Sequence, residues 1–351
     1  MKIGIVTIVS QNYGNRLQNY ALQTYLRKID NEIEVFTFRR NYSKNVFLGK
    51  AKNLLNNIIH KKTEYEKQKA RLFEAFDKEI SFAPEIIYRA KKNKGLGKKY
   101  DYFLAGSDQV WNPEYPITSS ADFMQFTEKN KRLSYSASIG VSNFNNCSKN
   151  QFRSWINGVK TISVREDVGK VAIKELTGRD VEVHVDPTLL LTKAEWENVE
   201  QKPSWYKSEK YILAYFLGPV PKAAEKMMQD TIKENGQKVV YIDLKSQGVM
   251  YAHGPSEFIW LIHHAEKVYT DSFHGTVFSL IFDRPFVVFK RTGNENSTGS
   301  RIESLLKKFD ITREVKNVTN VNNVDREKFK LILEKEKLKS REYLNRCLGL
   351  L

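Results

Sequence analysis

A strand-to-helix junction at residues 267–280 constrains the fold of this chain more than any other stretch. It reads KVYT, then the polar turn DSFHG, then the apolar segment TVFSL. This order predicts a short buried strand, a tight turn and the first turn of a helix, the unit of α/β sheets. Such junctions bind anions, because free N–H groups and the helix dipole point there. The simpler interpretation is that Asp271 or Ser272 only caps the helix, which leaves His274 unexplained.

The rest of the chain alternates strand and helix patterns in the same way. Apolar or β-branched runs predict strands at 3–9, 34–38, 100–104, 132–139, 161–164, 181–185, 211–217, 238–243 and 286–289, with two helices across 43–80. Residues 192–208, which include Pro203, are interpreted as a linker. We therefore predict an α/β protein with two Rossmann-like domains facing a cleft, at 1–195 and 209–320. A charged helix within 325–351 is expected to pack back on the first domain.

Composition narrows the class of protein. The chain has 351 residues, which is enough for two domains. Its content of 41% hydrophobic and 12% aromatic residues excludes a disordered chain. Its two cysteines, Cys147 and Cys347, are too far apart in sequence for a zinc motif, and they favour a reducing compartment. No apolar run approaches the roughly 18–20 residues of a membrane helix, so a cytoplasmic protein is expected. The loop after the first strand lacks GxGxxG, which argues against a dinucleotide cofactor.

The positive charge of the chain is concentrated in one window. The net charge is +16, and residues 39–99 hold 17 basic and 6 acidic residues. A solvated basic surface is the simplest interpretation of this window. An anionic membrane surface or lipid-linked substrate is the second interpretation. Nucleic acid is disfavoured as a partner, because no nucleic-acid-binding motif accompanies the basic residues.

Several predicted strands run directly into polar residues, at 10–18, 106–112 and 163–167. Because the carboxyl ends of parallel strands share one edge of a sheet, these loops and 271–276 are expected to converge at the cleft. Asp108 is interpreted as a substrate-binding carboxylate or as part of an Asx-turn. Arg165 is interpreted as an anion-binding fork or as the partner of Glu166 or Asp167 in a local ion pair.

These loops resemble the polysaccharide pyruvyl transferase family. The matching motifs occur in family order over about residues 1 to 310. They are NYGN at 12–15 with LQNYAL at 17–22, GSDQVWN at 106–112, SVRE at 163–166, DPTLL at 186–190 and TDSFHG at 270–275. The resemblance implies a fold like that of the GT-B glycosyltransferases, with the acceptor on the first domain and the donor on the second.

The implied reaction moves a pyruvyl group from phosphoenolpyruvate (PEP) to two hydroxyls of a sugar or lipid-linked oligosaccharide. The product is a cyclic ketal on a precursor of capsule, exopolysaccharide or cell-wall polymer, and no cofactor or metal is needed. The runner-up is a nucleotide-sugar-dependent glycosyltransferase of the same fold. Donor chemistry needs fixed positive charge, a general acid and a base for the attacking hydroxyl.

The resemblance also implies roles for individual residues. Arg165 is expected to grip PEP, His274 to act as general acid or phosphate partner, and Asp108 to position or deprotonate the acceptor hydroxyl. The residues expected to bind substrate are Asn12, Gly14, Asn15, Gln18, Gly106, Ser107, Asp271, Ser272, Gly275 and Arg301. Better-known members carry Arg-Leu-His where this chain has Ser272-Phe273-His274. Either a later residue supplies the phosphate-binding charge, or this branch uses a different donor and the resemblance is one of fold. Arg301 is the first candidate, ahead of Arg291 and Lys290.

Overall fold

The structure is a computed structural model that describes residues 1–41, 63–88, 93, 95–141, 144, 149–243, 250–291, 299–311, 318–321 and 324–350. Its contacts divide the chain into two compact units. The first comprises Met1–Thr63, Asp77–Leu190 and Glu336–Leu351, and the second comprises Glu64–Phe76 and Leu191–Lys335. Within the described ranges, no helix has both the length and the apolar composition needed to cross a membrane.

The first unit is built on a parallel sheet. Its strands are β1 (Lys2–Val6), β2 (Glu34–Asn41), β3 (Phe82–Tyr88), β4 (Tyr102–Ala105) and β5 (Arg132–Ser134), with a short parallel pair, β6 (Ser163–Val164) and β7 (Glu182–Val183), continuing beyond β5. Their order is β3-β2-β1-β4-β5, and every pairing is parallel. The order reverses between β1 and β4, which is where open α/β sheets place their ligands.

The second unit repeats this plan. Its strands are β8 (Tyr211–Tyr215), β9 (Lys238–Ile242), β10 (Lys267–Thr270), β11 (Phe286–Phe289) and β12 (Val318–Val321). The order is β12-β11-β10-β8-β9, with only β12 antiparallel. The reversal of order falls between β8 and β10, so the predicted strand-to-helix junction lies at the ligand edge of this sheet.

Helices in the described residues connect the strands. Numbered along the chain, they are α1 (Tyr13–Ile29), α2 (Glu64–Phe76), α3 (Lys149–Asn157), α4 (Asp167–Thr177), α5 (Lys193–Glu197), α6 (Lys222–Asn235), α7 (Pro255–His263), α8 (Phe273–Ile281), α9 (Gly299–Lys308) and α10 (Arg326–Leu348). Helix α1 shows why they form: Asn12 caps its first turn, and Leu17, Ala21 and Leu26 are fully buried.

The last part of helix α10 belongs to the first unit. The Tyr343 hydroxyl donates to the Ser134 carbonyl at the end of β5, over 2.7 Å. The His184 imidazole lies 3.3 Å from the Ser340 hydroxyl and packs on the Tyr343 ring, with centroids 4.6 Å apart. These contacts cover the side of the sheet where β5, β6 and β7 meet.

Some predicted elements differ in the structure. The predicted strand 132–139 stops at Ser134, because Ser136 adopts a positive φ of 51° that breaks the extended chain. The predicted linker contains helix α5, whose Trp196 is fully buried. Helix α2, assigned by sequence to the first domain, belongs to the second unit, and the other helix predicted within 43–80 lies outside the described residues.

Candidate functional site

The switch point of the first unit is occupied by a side chain from α1. Gln18, which is fully buried, donates through its amide nitrogen to the Thr7 hydroxyl at 3.1 Å, just after β1. Its amide oxygen accepts the N–H of Ser107 at 3.4 Å, just after β4. A Cβ on Gly106 would lie 3.0 Å from Cβ of Thr7, so a side chain there would require the end of β1 to shift. The predicted residues Gln18, Gly106 and Ser107 are therefore neighbours.

A buried network continues from this point to Arg165. The Ser107 hydroxyl donates to Asp186 Oδ2 at 2.9 Å, and Nη1 of Arg165 donates to the same oxygen at 2.9 Å. The other Asp186 oxygen accepts the N–H and hydroxyl of Thr188 at 3.1 and 2.7 Å. Asp186 is thus satisfied on both oxygens, as a buried carboxylate must be.

Arg165 is surrounded by carboxylates. Its Nε lies 3.7 Å from Glu166 Oε2. Burial lowers the pKa of Arg165, but the carboxylates of Asp186, Glu166 and Asp108 more than offset it and leave the pKa raised. The local ion-pair interpretation is confirmed for Glu166, and the shortest ion pair, at 2.9 Å, is with Asp186 rather than with Asp167. Its guanidinium is therefore neutralised within the protein.

Asp108 keeps one carboxylate oxygen away from protein donors. Oδ1 accepts the N–H of Gln109 at 2.7 Å, which is a local turn interaction. Oδ2 has no hydrogen bond within the described residues. Asp108 is 8% exposed, so it lies just below the surface.

The remaining predicted residues of the first unit lie at the start of α1. Asn12 caps the helix by accepting the N–H of Asn15 at 3.2 Å, and Gly14 is buried in the first turn. The Asn15 side chain accepts a hydrogen bond from the Ser10 hydroxyl. These residues order the loop between β1 and α1.

In the second unit, Asp271 binds the backbone at the switch point. Its Oδ1 accepts the N–H of Leu217 at 2.7 Å, and Oδ2 accepts the N–H of Gly218 at 3.1 Å. Both donors follow β8, whereas Asp271 follows β10. The Asp271 carboxylate therefore joins the two strand ends, and it does not cap α8.

Arg291, just after β11, completes this arrangement. Its Nε donates to Asp271 Oδ2 at 3.1 Å, and Nη2 reaches the Asp271 carbonyl at 3.5 Å. Nη1 has no partner within the described residues, and the side chain is 18% exposed. One edge of the guanidinium is held while the other is presented, which is the geometry of an anion-binding fork. Arg301 lies in the first turn of α9, 8% exposed.

Ser272 and Gly275 shape the start of α8. The Ser272 hydroxyl accepts the N–H of Gly275 at 3.3 Å, which confirms the capping interpretation for this residue. A Cβ on Gly275 would lie 2.6 Å from the Thr270 hydroxyl oxygen. His274 is 8% exposed, and its ring lies edge-on to Phe273 with centroids 5.2 Å apart. Strand β10 and helix α8 therefore hold His274 at the ligand edge of the sheet.

The sequence indicated no role for Asp186, indicated Glu166 only as an ion-pair partner of Arg165, and placed Arg291 below Arg301. Asp186 and Glu166 both lie within the motifs quoted above, and each follows a strand. Glu166 Oε1 accepts the hydroxyl of Ser138 and the N–H groups of Ile139 and Gly140 at 2.9–3.1 Å. The signal that was available is an acid shortly after a strand, which in the case of Glu166 also lies beside an arginine.

Comparison with known proteins supplies two findings. No curated protein matches the chain closely enough to count as a relative. Among solved structures, a putative UDP-N-acetylglucosamine 2-epimerase from Listeria monocytogenes is 12% identical, covers 97% of this chain and 89% of its own, and has a TM-score of 0.51. The UDP-GlcNAc 2-epimerase from Methanocaldococcus jannaschii is 14% identical over 100% of both chains, with a TM-score of 0.49.

The likeness to the Listeria structure shows a shared fold, so the predicted GT-B-like α/β class is confirmed. The sequence profile of polysaccharide pyruvyl transferase matches residues 12–292, well over half of the chain. That range contains the switch point of the second sheet and every predicted site residue except Arg301. The chain belongs to the polysaccharide pyruvyl transferase family.

Proposed function

We propose that this protein transfers a pyruvyl group from PEP to two hydroxyls of a sugar, forming a cyclic ketal during synthesis of a bacterial surface polysaccharide. The observation that carries the proposal is the family match over residues 12–292. The ligand edges of both sheets support it, because each presents the chemistry that one substrate needs.

The donor side is assigned to the second unit. PEP carries a phosphate and a carboxylate, so its site needs a cationic side chain that still has N–H donors to present. Arg291 is held by Asp271 through Nε and presents Nη1, which suits a phosphate or carboxylate oxygen. Ser272 carries no charge and its hydroxyl caps α8. We therefore assign the donor phosphate to Arg291 ahead of Arg301.

The acceptor side is assigned to the first unit. Asp108 Oδ2 serves as the base that accepts the proton of the attacking hydroxyl. Asn15 and Gln18 order the loop and strand ends around it. Because Arg165 is ion-paired to Asp186 and Glu166, we assign it to positioning these carboxylates near Asp108 and not to binding PEP.

The reaction balances with two hydroxyls and one PEP. His274 donates a proton to the vinyl carbon of PEP, which becomes a methyl group. The first sugar hydroxyl adds to the adjacent carbon and loses its proton to Asp108. The carbon–oxygen bond to phosphate then breaks, and the second hydroxyl closes the ketal as its proton leaves with the phosphate. Arg291 stabilises the negative charge of the leaving phosphate.

The proposed acceptor rests on the family to which the chain belongs and on the positive charge of residues 39–99. We propose a sugar or lipid-linked oligosaccharide, with peripheral contact between the basic window 39–99 and an anionic membrane surface. Much of that window, including residues 42–62, lies outside the described residues. Binding to vesicles with and without anionic lipid tests this part separately from catalysis.

The decisive experiment supplies PEP with a panel of glycans and measures phosphate release together with the mass of a pyruvyl ketal on the glycan. We expect both signals to appear together and to need no nucleotide-sugar. Asp108→Asn and His274→Gln are expected to lower kcat about 10²- to 10⁴-fold, the usual contribution of general acid–base catalysis. Arg291→Gln should raise KM for PEP about 10-fold or more, through loss of a charge-assisted hydrogen bond.

A matched control variant shows whether a loss of activity comes from general damage to the fold. Asp101→Asn removes an exposed carboxylate at the opposite end of β4 and should leave turnover unchanged. Turnover with a nucleotide-sugar alone would replace this proposal with the glycosyltransferase alternative. Near-normal activity of Asp108→Asn would remove that residue from its assigned role.

A further inference from the structure

A cluster of histidine and glutamate side chains lies in the second unit, away from the switch point. One ligand atom from each of Glu200, His263 and His264 lies within 4.8 Å of the other two. Tetrahedral zinc, with bonds of about 2.0–2.1 Å, holds its ligand atoms about 3.3 Å apart. Small side-chain rotations therefore bring these three groups to coordination distance.

His264 is oriented with one nitrogen available. Its Nδ1 donates to the Trp260 carbonyl, one helical turn earlier, at 3.0 Å. Because a neutral imidazole carries one N–H, this bond leaves Nε2 with its lone pair. Metal-binding histidines are usually held in this way, by a hydrogen bond from the other ring nitrogen to a carbonyl or carboxylate. Stacking of the ring on Trp260, with centroids 4.1 Å apart, limits its rotation.

His263 lies between two carboxylates. Its Nδ1 lies 2.9 Å from Glu200 Oε2, and its Nε2 lies 3.6 Å from Glu197 Oε1. A metal ion at Nδ1 replaces the proton that now joins Nδ1 and Glu200. The tautomer with its proton on Nε2 then faces Glu197, so the bound histidine keeps a carboxylate partner. Its ring stacks on Phe282, with centroids 4.3 Å apart.

The backbone favours a cation at the same place. His263 is the last residue of α7, and His264 follows it directly. The C-terminal end of a helix carries partial negative charge from its free carbonyls, which attracts positive ions. Two imidazoles and one carboxylate form the ligand set of many zinc sites, and they leave one position for water.

We propose that Glu200, His263 and His264 bind one divalent transition-metal ion of the zinc class, with Glu197 as the outer partner of His263. The ion joins the end of α7 to the segment after α5. This site is independent of the proposed pyruvyl transfer, which needs no metal. Because the ligands come from separate segments of the second unit, binding stabilises that unit against unfolding.

The test uses tag-free, full-length protein stripped with a chelator. Calorimetric titration with Zn²⁺ should give one ion per chain, and Co²⁺ should give the visible absorption of tetrahedral cobalt. Glu200→Gln and His264→Gln should each weaken Zn²⁺ binding at least about 10-fold, and Glu197→Gln by about 10- to 100-fold as an outer partner. Zn²⁺ should raise the melting temperature of the wild type more than that of either ligand variant.

Glu266→Gln is the matched control, because Glu266 is an exposed carboxylate beside His264 that pairs with Lys210 instead. It should bind Zn²⁺ like the wild type. Glu200→Gln can keep a hydrogen bond to His263, so its fold is expected to survive, and its melting without metal checks this. Absence of saturable Zn²⁺ binding by the wild type would overturn the proposal. Unchanged binding after the double change His263→Gln and His264→Gln would overturn it equally.

Discussion

At the scale of single residues, Asp271 shows that a carboxylate in a predicted site can bind backbone N–H groups instead of substrate. It lies within the most constraining junction of the sequence, and the family resemblance placed it among the residues expected to bind substrate. Its oxygens instead accept N–H groups from Leu217 and Gly218 and the Nε–H of Arg291. The two backbone partners lie more than 50 residues away in sequence, so no local pattern reveals them. Asp271 thereby fixes the position of Arg291, which is a stronger candidate for substrate contact than Asp271 itself.

Gly275→Ala is expected to destabilise the protein by about 1–3 kcal/mol, the usual cost of overpacking. Alanine favours helices over glycine by about 1 kcal/mol, but the new Cβ would lie 2.6 Å from Oγ1 of Thr270. That oxygen cannot retreat easily, because it donates to the Tyr215 carbonyl and accepts the Ser272 N–H. Denaturant unfolding with the midpoint and slope fitted together measures the change.

Gly169→Ala provides the control for this prediction. Gly169 is a buried glycine inside helix α4, and a Cβ there would meet its nearest neighbour at 3.5 Å, an ordinary contact. The helix preference of alanine then acts alone, and stability should stay equal or rise by up to about 1 kcal/mol. Equal effects at Gly169 and Gly275 would show that Thr270 yields to the new methyl group.

At the scale of elements, sequence periodicity predicted the strands with continuous apolar runs and the long amphipathic helices. It missed β3 and β12. Strand β3 contains Pro84 and lies at the edge of its sheet, where a strand needs fewer hydrogen bonds and carries a weaker apolar pattern. The predicted strand 132–139 was too long, because its apolar residues also fit a turn with a positive φ at Ser136.

Helix α10 offers a test of how one element stabilises the first unit. Tyr343→Phe removes the hydroxyl that donates to the Ser134 carbonyl at 2.7 Å. That carbonyl also accepts the Ser163 hydroxyl at 3.3 Å, so it stays satisfied. The free energy of unfolding should therefore fall only by the net value of one hydrogen bond, about 0.5–1.5 kcal/mol.

Leu338→Ala is the comparison within the same helix. Leu338 is 60% exposed, so its truncation should change unfolding by no more than about 0.5 kcal/mol. A loss at Leu338 equal to that at Tyr343 would mean that the loss at Tyr343 reflects general damage to helix α10 and not the hydrogen bond to Ser134. Thermal unfolding of both variants beside the wild type separates these outcomes.

At the scale of the whole molecule, the sequence predicted two α/β domains and the strand ends that carry polar residues. It could not predict how those residues pair. Arg165 was expected to meet a substrate anion, yet its partners Asp186 and Glu166 neutralise it. Pairing depends on side-chain directions that the fold sets, and several acids lay within reach of one arginine in the sequence.

Acid should destabilise both units through one buried histidine in each. Burial lowers the pKa of His184 and of His253 to about 4, against 6.5 for an ordinary histidine. Between these values the unfolded chain binds protons that the folded protein does not. The free energy of unfolding therefore has its full value above about pH 6.5. It decreases as the pH falls towards 4, by up to about 3 kcal/mol for each histidine.

Urea unfolding across this pH range measures the effect. His184→Gln should flatten the pH dependence of the first unit, because the titrating group is gone. Ser340→Ala removes the hydroxyl beside the imidazole but keeps the histidine, so it should retain most of the slope. If His184→Gln keeps the wild-type slope, the acid sensitivity comes from carboxylates and not from this histidine.

The contribution of helix α10 to the first unit also bears on how the protein is made. The ribosome delivers the chain from its N-terminus, and domains generally fold in that order. Residues 336–350, which pack against β5 and β7, are synthesised only after the whole of the second unit. The first unit to emerge is therefore the last to be completed. Until then the side of its sheet that holds Ser134 and His184 stays uncovered.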